Sequence, residues 1–325
     1  MRLVARSIVF AVSSILLVAS AAAQERADTF PTHSIRIVVP FPAGGPSDVL
    51  ARMIAQKMSE DWGQPVVIEN RVGANTVIGA QQVAKATPDG YTLLMAIDST
   101  LAMNQYLYRT PPYDPFTDFV PITLTAKSMT FVYVNADSPY KSVKDIIAAA
   151  RAQPGKLNYG AGTITTQLMG HLFDKAAGIR TVLLKYNGSA QVAQGLLTRS
   201  VDFTFDGSSA AMPLVQAGQF RALVKFDRRA FPALPGLPTI TGELPGFDEI
   251  SVWLGLVAPK GTPAALVEKL HAEVVRALAD PGVKAKADAA GLFPATSTPA
   301  EFAAFIRKEA ERWSAVVKET GLQYD

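Results

Sequence analysis

The chain has 325 residues, 49% of them apolar and 18% charged, which is room for two domains and too ordinary a charge content for disorder. Its formal charge of +3 falls to about +1 once Arg2 and Arg6 are set aside, and no basic stripe follows, so nucleic acid is not an expected partner. There is no cysteine, which excludes disulfides, thiolate chemistry and lipid attachment at cysteine and leaves stability to packing.

Met1 to Ala23 has the build of a secretory signal. Arg2 and Arg6 give a positive start, Ile8 to Ala19 an apolar middle, and Ala21-Ala22-Ala23 a cleavage site before Gln24. The alternative is a transmembrane anchor, for which the uncharged run from Ser7 to Ala23 is slightly short of the ~20 residues needed. Export with cleavage after Ala23 is the expectation.

Ile35 to Val39 is a short β-branched run, expected as a buried strand. The turn Pro40-Phe41-Pro42-Ala43-Gly44-Gly45 leads into a helix with Val49, Leu50, Met53, Ile54 and Met58 on one face. Gly45 stands at the cap, Pro46 at the first helical position and Asp48 in the first turn. A glycine pair at a helix mouth leaves backbone N–H groups free for an anion, with no basic side chain required; the alternative is a turn that binds nothing. Pro65 to Asn70 reads as a second strand, and Arg71 to Thr76 as a loop into a helix from Val77 to Ala86. Thr87-Pro88-Asp89-Gly90 is a turn, and Tyr91 to Ile97 is a third strand ending in Asp98-Ser99-Thr100. This alternation predicts a parallel sheet with ligands beyond its carboxyl edge, where all three loops lie.

Tyr108 to Pro121, rich in proline and aromatics, is expected to be a covering loop. Thr130 to Val134 is a strand, and Ser142 with Asp145 opens a helix. A second alternating run follows: a strand at Leu157 to Gly160, a loop from Ala161 to Thr166, a helix to Ala177, a strand from Thr181 to Lys185, the loop Tyr186 to Ser189, a helix, and strands at Val201 to Phe205 and Phe220 to Phe226. This predicts a second small parallel sheet. Val252 to Val257 is one more strand, and three helices close the chain, capped at Thr262, Asp280 and Thr298.

The catalytic inventory is thin. His33, His171 and His271 read as surface or packing residues, and no two have metal-ligand spacing. There is no G-x-S-x-G elbow, no P-loop, and no third glycine of a dinucleotide fingerprint after Gly160-Ala161-Gly162. No cofactor, metal or catalysis is expected. What recurs is a small polar loop at a strand end, at Gly44-Gly45, Gly73-Asn75, Asp98-Thr100, Gly162-Thr166, Gly188-Ser189 and Asp206-Ser208. Amides and hydroxyls converging from two sheets can hold a carboxylate.

Three runs carry a specific resemblance: Val39-Pro40-Phe41-Pro42-Ala43-Gly44-Gly45-Pro46-Ser47-Asp48, Glu69-Asn70-Arg71-Val72-Gly73-Ala74 and Pro88-Asp89-Gly90-Tyr91-Thr92-Leu93-Leu94. It continues through Tyr186-Asn187-Gly188-Ser189-Ala190, Val201 to Asp206, Leu237-Pro238-Thr239, Pro245-Gly246-Phe247 and Trp253 to Pro263. Together these resemble the Bug-type (TctC-like) periplasmic substrate-binding receptors of tripartite tricarboxylate transporters over nearly the whole chain. The resemblance implies an α/β, type II periplasmic-binding-protein fold with a ligand cleft between two domains. It divides the chain into the signal at 1–23, domain one at 24–127 plus 251–325, and domain two at 128–250. It implies a small organic carboxylate as ligand, a monomeric receptor, and membrane permease subunits as partners.

By matching position, the resemblance sets Phe41, Ala43, Gly44, Gly45, Gly73 and Ala74 at a carboxylate, with Ser189 and Asp206 facing it from domain two and Asp48 bracing its own loop. Asn75, Asp98, Ser99, Thr163, Thr165 and Thr166 complete the candidate ligand-binding residues. This chain departs from the family at Asn75-Thr76, where two glycines are usual, at Asp98, where a small uncharged residue is usual, and at Gln167, where histidine is usual. Asp98 either faces the cleft, favouring a ligand with a donor beside its carboxylate, or caps the helix after it. Two alternatives to uptake stay open: signalling to a sensor kinase, and a periplasmic enzyme acting on an organic acid.

Overall fold

The structure, a computed structural model, describes residues 28–247 and 250–324. The expected signal at Met1 to Ala23 and the domain start at Gln24 lie outside the described residues.

The chain opens as β1 (Ile35–Val39), α1 (Pro46–Trp62), β2 (Val66–Asn70), α2 (Val77–Ala84) and β3 (Thr92–Ile97). After a π-helical turn at Ser99–Met103 come α3 (Asn104–Leu107), the long β4 (Phe119–Ser128) and β5 (Thr130–Asn135). The middle runs α4 (Val143–Ala152), β6 (Asn158–Ala161), α5 (Ile164–Ala177), β7 (Val182–Lys185), α6 (Ser189–Leu197), β8 (Phe203–Gly207), α7 (Ser208–Gln216) and β9 (Phe220–Lys225). The chain then passes through α8 (Ile240–Glu243) to β10 (Val252–Pro259), α9 (Ala264–Ala279), α10 (Pro281–Ala289), β11 (Leu292–Pro294) and α11 (Pro299–Thr320).

Two sheets result. The first has the order β11-β4-β10-β3-β1-β2 and the second β7-β6-β8-β5-β9. The chain crosses from the first to the second between Ser128 and Thr130, and returns between β9 and β10. Each sheet is mixed, which corrects the expectation of purely parallel sheets. β1 pairs parallel with β2 and β3, and β6 parallel with β7 and β8. β10 runs antiparallel to both β3 and β4, and β5 antiparallel to both β8 and β9. The returning segments enter each sheet from the far side, a non-local pairing that no run of apolar residues encodes.

Both faces of each sheet are covered, and the strands alternate accordingly. In β1, Ile35, Ile37 and Val39 join the core under α1 and α9, while Val38 points into the opposite core. In β5, Phe131 and Tyr133 pack on one side and Val132 and Val134 on the other. The core containing Val38 continues through Phe302, Ile306 and Trp313 of α11 to Ile164 and Leu168 of α5, so the last long helix ties the two sheets together.

The local end signals mostly form as read. Gly45 is the N-cap of α1 with Pro46 behind it, and capping boxes close at Ser142/Asp145 and Thr298/Glu301. Asp280 caps α10 through the N–H groups of Gly282 and Val283. Thr262 does not cap α9; its hydroxyl donates to Pro259 O at 2.8 Å. The covering loop ends before Phe119, where β4 begins, and Thr165 and Thr166 belong to the first turn of α5 rather than to a loop.

Candidate functional site

The parallel strands β1, β2 and β3 end together, with Val39 level with Asn70, so their loops share one edge of the first sheet. The parallel strands β6, β7 and β8 do the same in the second sheet. The two edges face each other across a cleft of two adjoining compartments, which share Phe41, Pro42, Thr163 and Gly188 as common wall. Each holds about 50 Å³, room for a few waters, so the sheets stand close together here.

The first loop is built from inside. Asp48 is 2% exposed, and its Oδ2 accepts from Gly44 N–H at 3.0 Å and from Arg52 Nε at 2.9 Å. Its Oδ1 accepts from Asn70 Nδ2, which also donates to Phe41 O, both at 2.9 Å. Asp48 therefore braces the loop. Burial pushes its carboxyl up, but the bonds from Arg52, Gly44 and Asn70 outweigh it and hold the group below its ordinary 3.8.

The second loop takes an uncommon backbone. Gly73, Ala74, Asn75 and Thr76 all have positive φ, of 142°, 45°, 50° and 77°. Asn75 and Thr76 thus adopt a glycine-like backbone without being glycine. Hydrogen bonds hold it there. Tyr108 Oη donates to Ala74 O, Asn104 Nδ2 to Asn75 O, and Thr100 Oγ1 to Thr76 Oγ1, each at 2.9 Å. Tyr113 supports Asn104 from behind.

From the second sheet come two helix N-termini and a carboxylate. Thr163 caps α5 in a reciprocal box with Thr166. Gly188, at φ 96°, starts α6 with its amides uncovered by any side-chain cap. Asp206, at the end of β8, accepts at Oδ1 from Ser189 Oγ at 2.7 Å and from Gly207 N–H at 2.8 Å. Burial pushes its carboxyl up to about 6, against those two bonds.

Of the expected site residues, Phe41, Ala43, Gly45, Thr163, Thr166, Ser189 and Asp206 line the first compartment. Phe41, Gly73, Ala74, Asn75, Ser99 and Thr163 line the second. Gly44, Asp98 and Thr165 line neither. The Gly44 N–H is taken by Asp48. Asp98 is fully buried and Thr165 is its partner, and Asp98 caps the following turn through Ser99 N–H at 2.7 Å. Of the two readings of Asp98, the geometry is that of the cap. Ser47, Ile97, Ser128, Thr130, Val252 and Leu254 also line the first compartment and were missed. The signal that could have found Ser128 and Thr130 is two small polar residues where the chain passes between buried strands.

Among the described residues, neither compartment is lined by lysine, arginine or histidine. His33 stacks on Tyr91, and His271 bonds Ser297 O at 3.0 Å, both away from the cleft. No cluster of histidine and acidic residues fit for a metal occurs among the described residues.

Two α/β lobes with a polar cleft between their strand ends define a solute-binding protein. The profile of the tripartite tricarboxylate transporter family receptor matches residues 50–322, and the chain belongs to that family. It is 36% identical over 321 residues to a UPF0065 protein from a tcbD–tcbE intergenic region of a Pseudomonas species, covering 97% of this chain and 95% of that one. It is 34% identical to the protein BugT of Bordetella pertussis, covering 93% of this chain and 94% of the relative. Among solved structures, Rpa4515 of R. palustris with adipate superposes at a TM-score of 0.86 with 36% identity, over 90% of this chain and 98% of that one. The periplasmic binding protein BugD gives 0.84 at 30% identity, over 91% and 100% of the two chains. MatC of Rhodopseudomonas palustris with bound malate gives 0.80 at 30% identity, over 89% and 100%. The family and these neighbours are solute-binding proteins, not enzymes, and BugD is a periplasmic one.

Proposed function

We propose that this chain is the exported receptor of a tripartite tricarboxylate transporter, and that it captures a small organic carboxylate by closing its two lobes. The lobes are 24–127 with 251–325, and 128–250, and the signal is cleaved after Ala23. The ligand carboxylate lies between the loops of Phe41 to Gly45 and Gly73 to Asn75 on one side, and Thr163, Thr166 and Ser189 on the other. The closed form docks on membrane permease subunits, and the receptor acts as a monomer.

One observation carries this reading. Helix N-termini from both halves, those of α1 and α6 without a side-chain cap and that of α5 capped by Thr163, border a cleft that among the described residues is lined by no basic side chain. Such groups favour an anion and, being contributed by both lobes, favour the closed state when it is bound. Adipate and malate in the cited relatives support the ligand class. The test is a thermal-shift screen of carboxylic acids on the mature protein. A micromolar ligand at millimolar concentration stabilises by about 4 kcal/mol. If no carboxylic acid raises the transition temperature, the reading is wrong.

A further inference from the structure

α11 gives way at Gly321, whose left-handed backbone, at φ 63°, turns the chain out of the helix. The residues that follow return to the first sheet's half. Leu322 packs on the core, Tyr324 N–H donates to Leu107 O at 2.7 Å, and Arg109 N–H donates to Tyr324 O at 3.2 Å. This bridge beside α3 fixes the backbone of Tyr324 and sets its ring 5.6 Å from that of Tyr108. Tyr108 is the residue whose hydroxyl holds Ala74 O in the second loop.

The same ring meets the second sheet's half. Lys185, at the end of β7, sets its Nζ 5.1 Å from the centre of the Tyr324 ring, and Tyr324 Oη donates to Gln167 Oε1 of α5 at 3.4 Å. Burial and Tyr108 push that hydroxyl above its ordinary 10, against a bond with Asn75 of the second loop, so it is a donor at neutral pH. Gln167 begins a stripe on α5 continued by His171 and Lys175. Glu319 of α11 meets both, with Lys175 Nζ at 2.8 Å and His171 Nε2 at 3.6 Å. Those ion-pair groups are exposed and screened by water, whereas Tyr324 is partly buried.

We infer that Tyr324 is a clasp between the two halves and a positioning residue for the ligand. It lines neither compartment. Its backbone is anchored to one half and its side chain grips the other, so parting the halves takes Lys185 and Gln167 away from the ring. The contact exists only while the halves are together and therefore favours that state. Through Tyr108 it also braces the loop that carries Ala74 and Asn75. A ligand that binds the closed cleft gains affinity in proportion to the closed fraction, so the clasp sets how long the ligand stays. The inference rests on the reading of the cleft as a carboxylate site that closes, and adds a residue that holds it shut.

The test uses the absence of cysteine in the natural chain. Spin labels on Gln56→Cys in α1 and Gln194→Cys in α6, both exposed, report the distance between the halves by pulsed EPR. Without added acid, Tyr324→Ala is expected to lengthen that distance, and Tyr324→Phe, which keeps the ring over which Lys185 stands, to restore it. Adipate, malate, hexanoate and benzoate are then followed by stopped flow. Dissociation is expected to quicken about ten-fold in Tyr324→Ala and about two- to five-fold in Lys185→Ala. In the double variant the Lys185 effect is expected to vanish, since both changes remove one contact. Equal label distances in the natural protein and a folded Tyr324→Ala overturn the inference, as do additive Lys185 and Tyr324 effects. Should Tyr324→Ala not fold, Lys185→Ala, on an edge strand, is read by the same labels, and an unchanged distance overturns the inference. If acids bind but leave both proteins equally fast, the clasp falls and the carboxylate reading stands; if no acid binds, that reading falls and the label distance alone decides the clasp.

Discussion

Thr165 Oγ1 donates to Asp98 Oδ1 across 2.7 Å, joining the first turn of α5 in the second sheet's half to the end of β3 in the first. Asp98 has no exposed surface, its Oδ1 also accepts from Ser99 N–H, and no partner for its Oδ2 occurs among the described residues. A carboxyl in this position is a contact between the halves whose strength depends on its proton.

Burial pushes Asp98 up to about 7, with Glu309 adding to the rise and Thr165, Ser99 and Arg312 opposing it. A carboxyl raised above its ordinary 3.8 takes up its proton more readily in the folded chain. Its contribution to stability is therefore full below about pH 3.8, falls as pH rises, and is gone above about 7. The difference across this window is roughly 4 kcal/mol. Asp206 slopes the same way, so the measurement is the difference between the natural protein and Asp98→Asn in urea unfolding from pH 4 to 8. The difference is expected to change steadily to about pH 7 and then level off; a flat difference rules out the titration of Asp98.

Asp48 has the opposite sign. Its carboxyl is held below 3.8, so its contribution is present above that pH and lost as pH falls through the lowered value. Asp48→Ala leaves Gly44 N–H without its acceptor and takes from Asn70 Nδ2 one of its two, Phe41 O remaining. A cost of about 2 kcal/mol at pH 7 is expected, with at least ten-fold weaker binding of any carboxylate found in the screen. Unfolding at pH 7 and calorimetry check the two halves of this expectation separately.

These two aspartates show what a sequence discloses. Asp48, Gly45 and Pro46 lie within a few residues of one another, and their roles follow from helix-start chemistry alone. Asp98 as a cap for Ser99 is legible for the same reason. Its bond to Thr165 spans 67 positions and belongs to the packing of the halves, which local pattern does not carry. The two families of loops were legible because they follow parallel strands at regular spacing. β4 was not, because Pro121, Thr123 and Thr125 interrupt its apolar run, and its partners β10 and β11 lie more than a hundred residues away. The left-handed backbone of Ala74 to Thr76 was hidden because no glycine marks it.

Gly207 tests closure. A Cβ there would meet Pro46 Cγ at 3.3 Å and Ser128 Oγ at 3.5 Å, and Pro46 is a rigid ring on the opposite side of the cleft. The backbone of Gly207, at φ −73°, suits any residue. Gly207→Ser keeps a favourable N-cap for α7 while adding that Cβ. The contact is tight only while the halves are together, so parting them relieves it. Folding stability is expected to change by less than about 1 kcal/mol, while ligand affinity falls about ten-fold. Unchanged affinity in a folded variant means that Pro46 and Gly207 do not limit closure.

Ala74 tests the second loop. An L-residue in the left-handed region costs about 1–2 kcal/mol, and glycine relieves it at an entropic cost of about 0.5–1 kcal/mol in the unfolded chain. Ala74, at φ 45°, makes its hydrogen bond through its carbonyl, to Tyr108 Oη, and glycine retains that bond. Ala74→Gly is therefore expected to stabilise the protein by up to about 1 kcal/mol, the reverse of the usual effect of this exchange. Thr76→Gly relieves the same kind of strain at φ 77° but removes the hydroxyl that meets Thr100 and Asn104, and a net loss is expected. Urea unfolding of both variants decides the point. If Ala74→Gly destabilises as much as Thr76→Gly, the loop does not hold its left-handed backbone in solution, and the amides it presents to the cleft are not fixed in advance of the ligand.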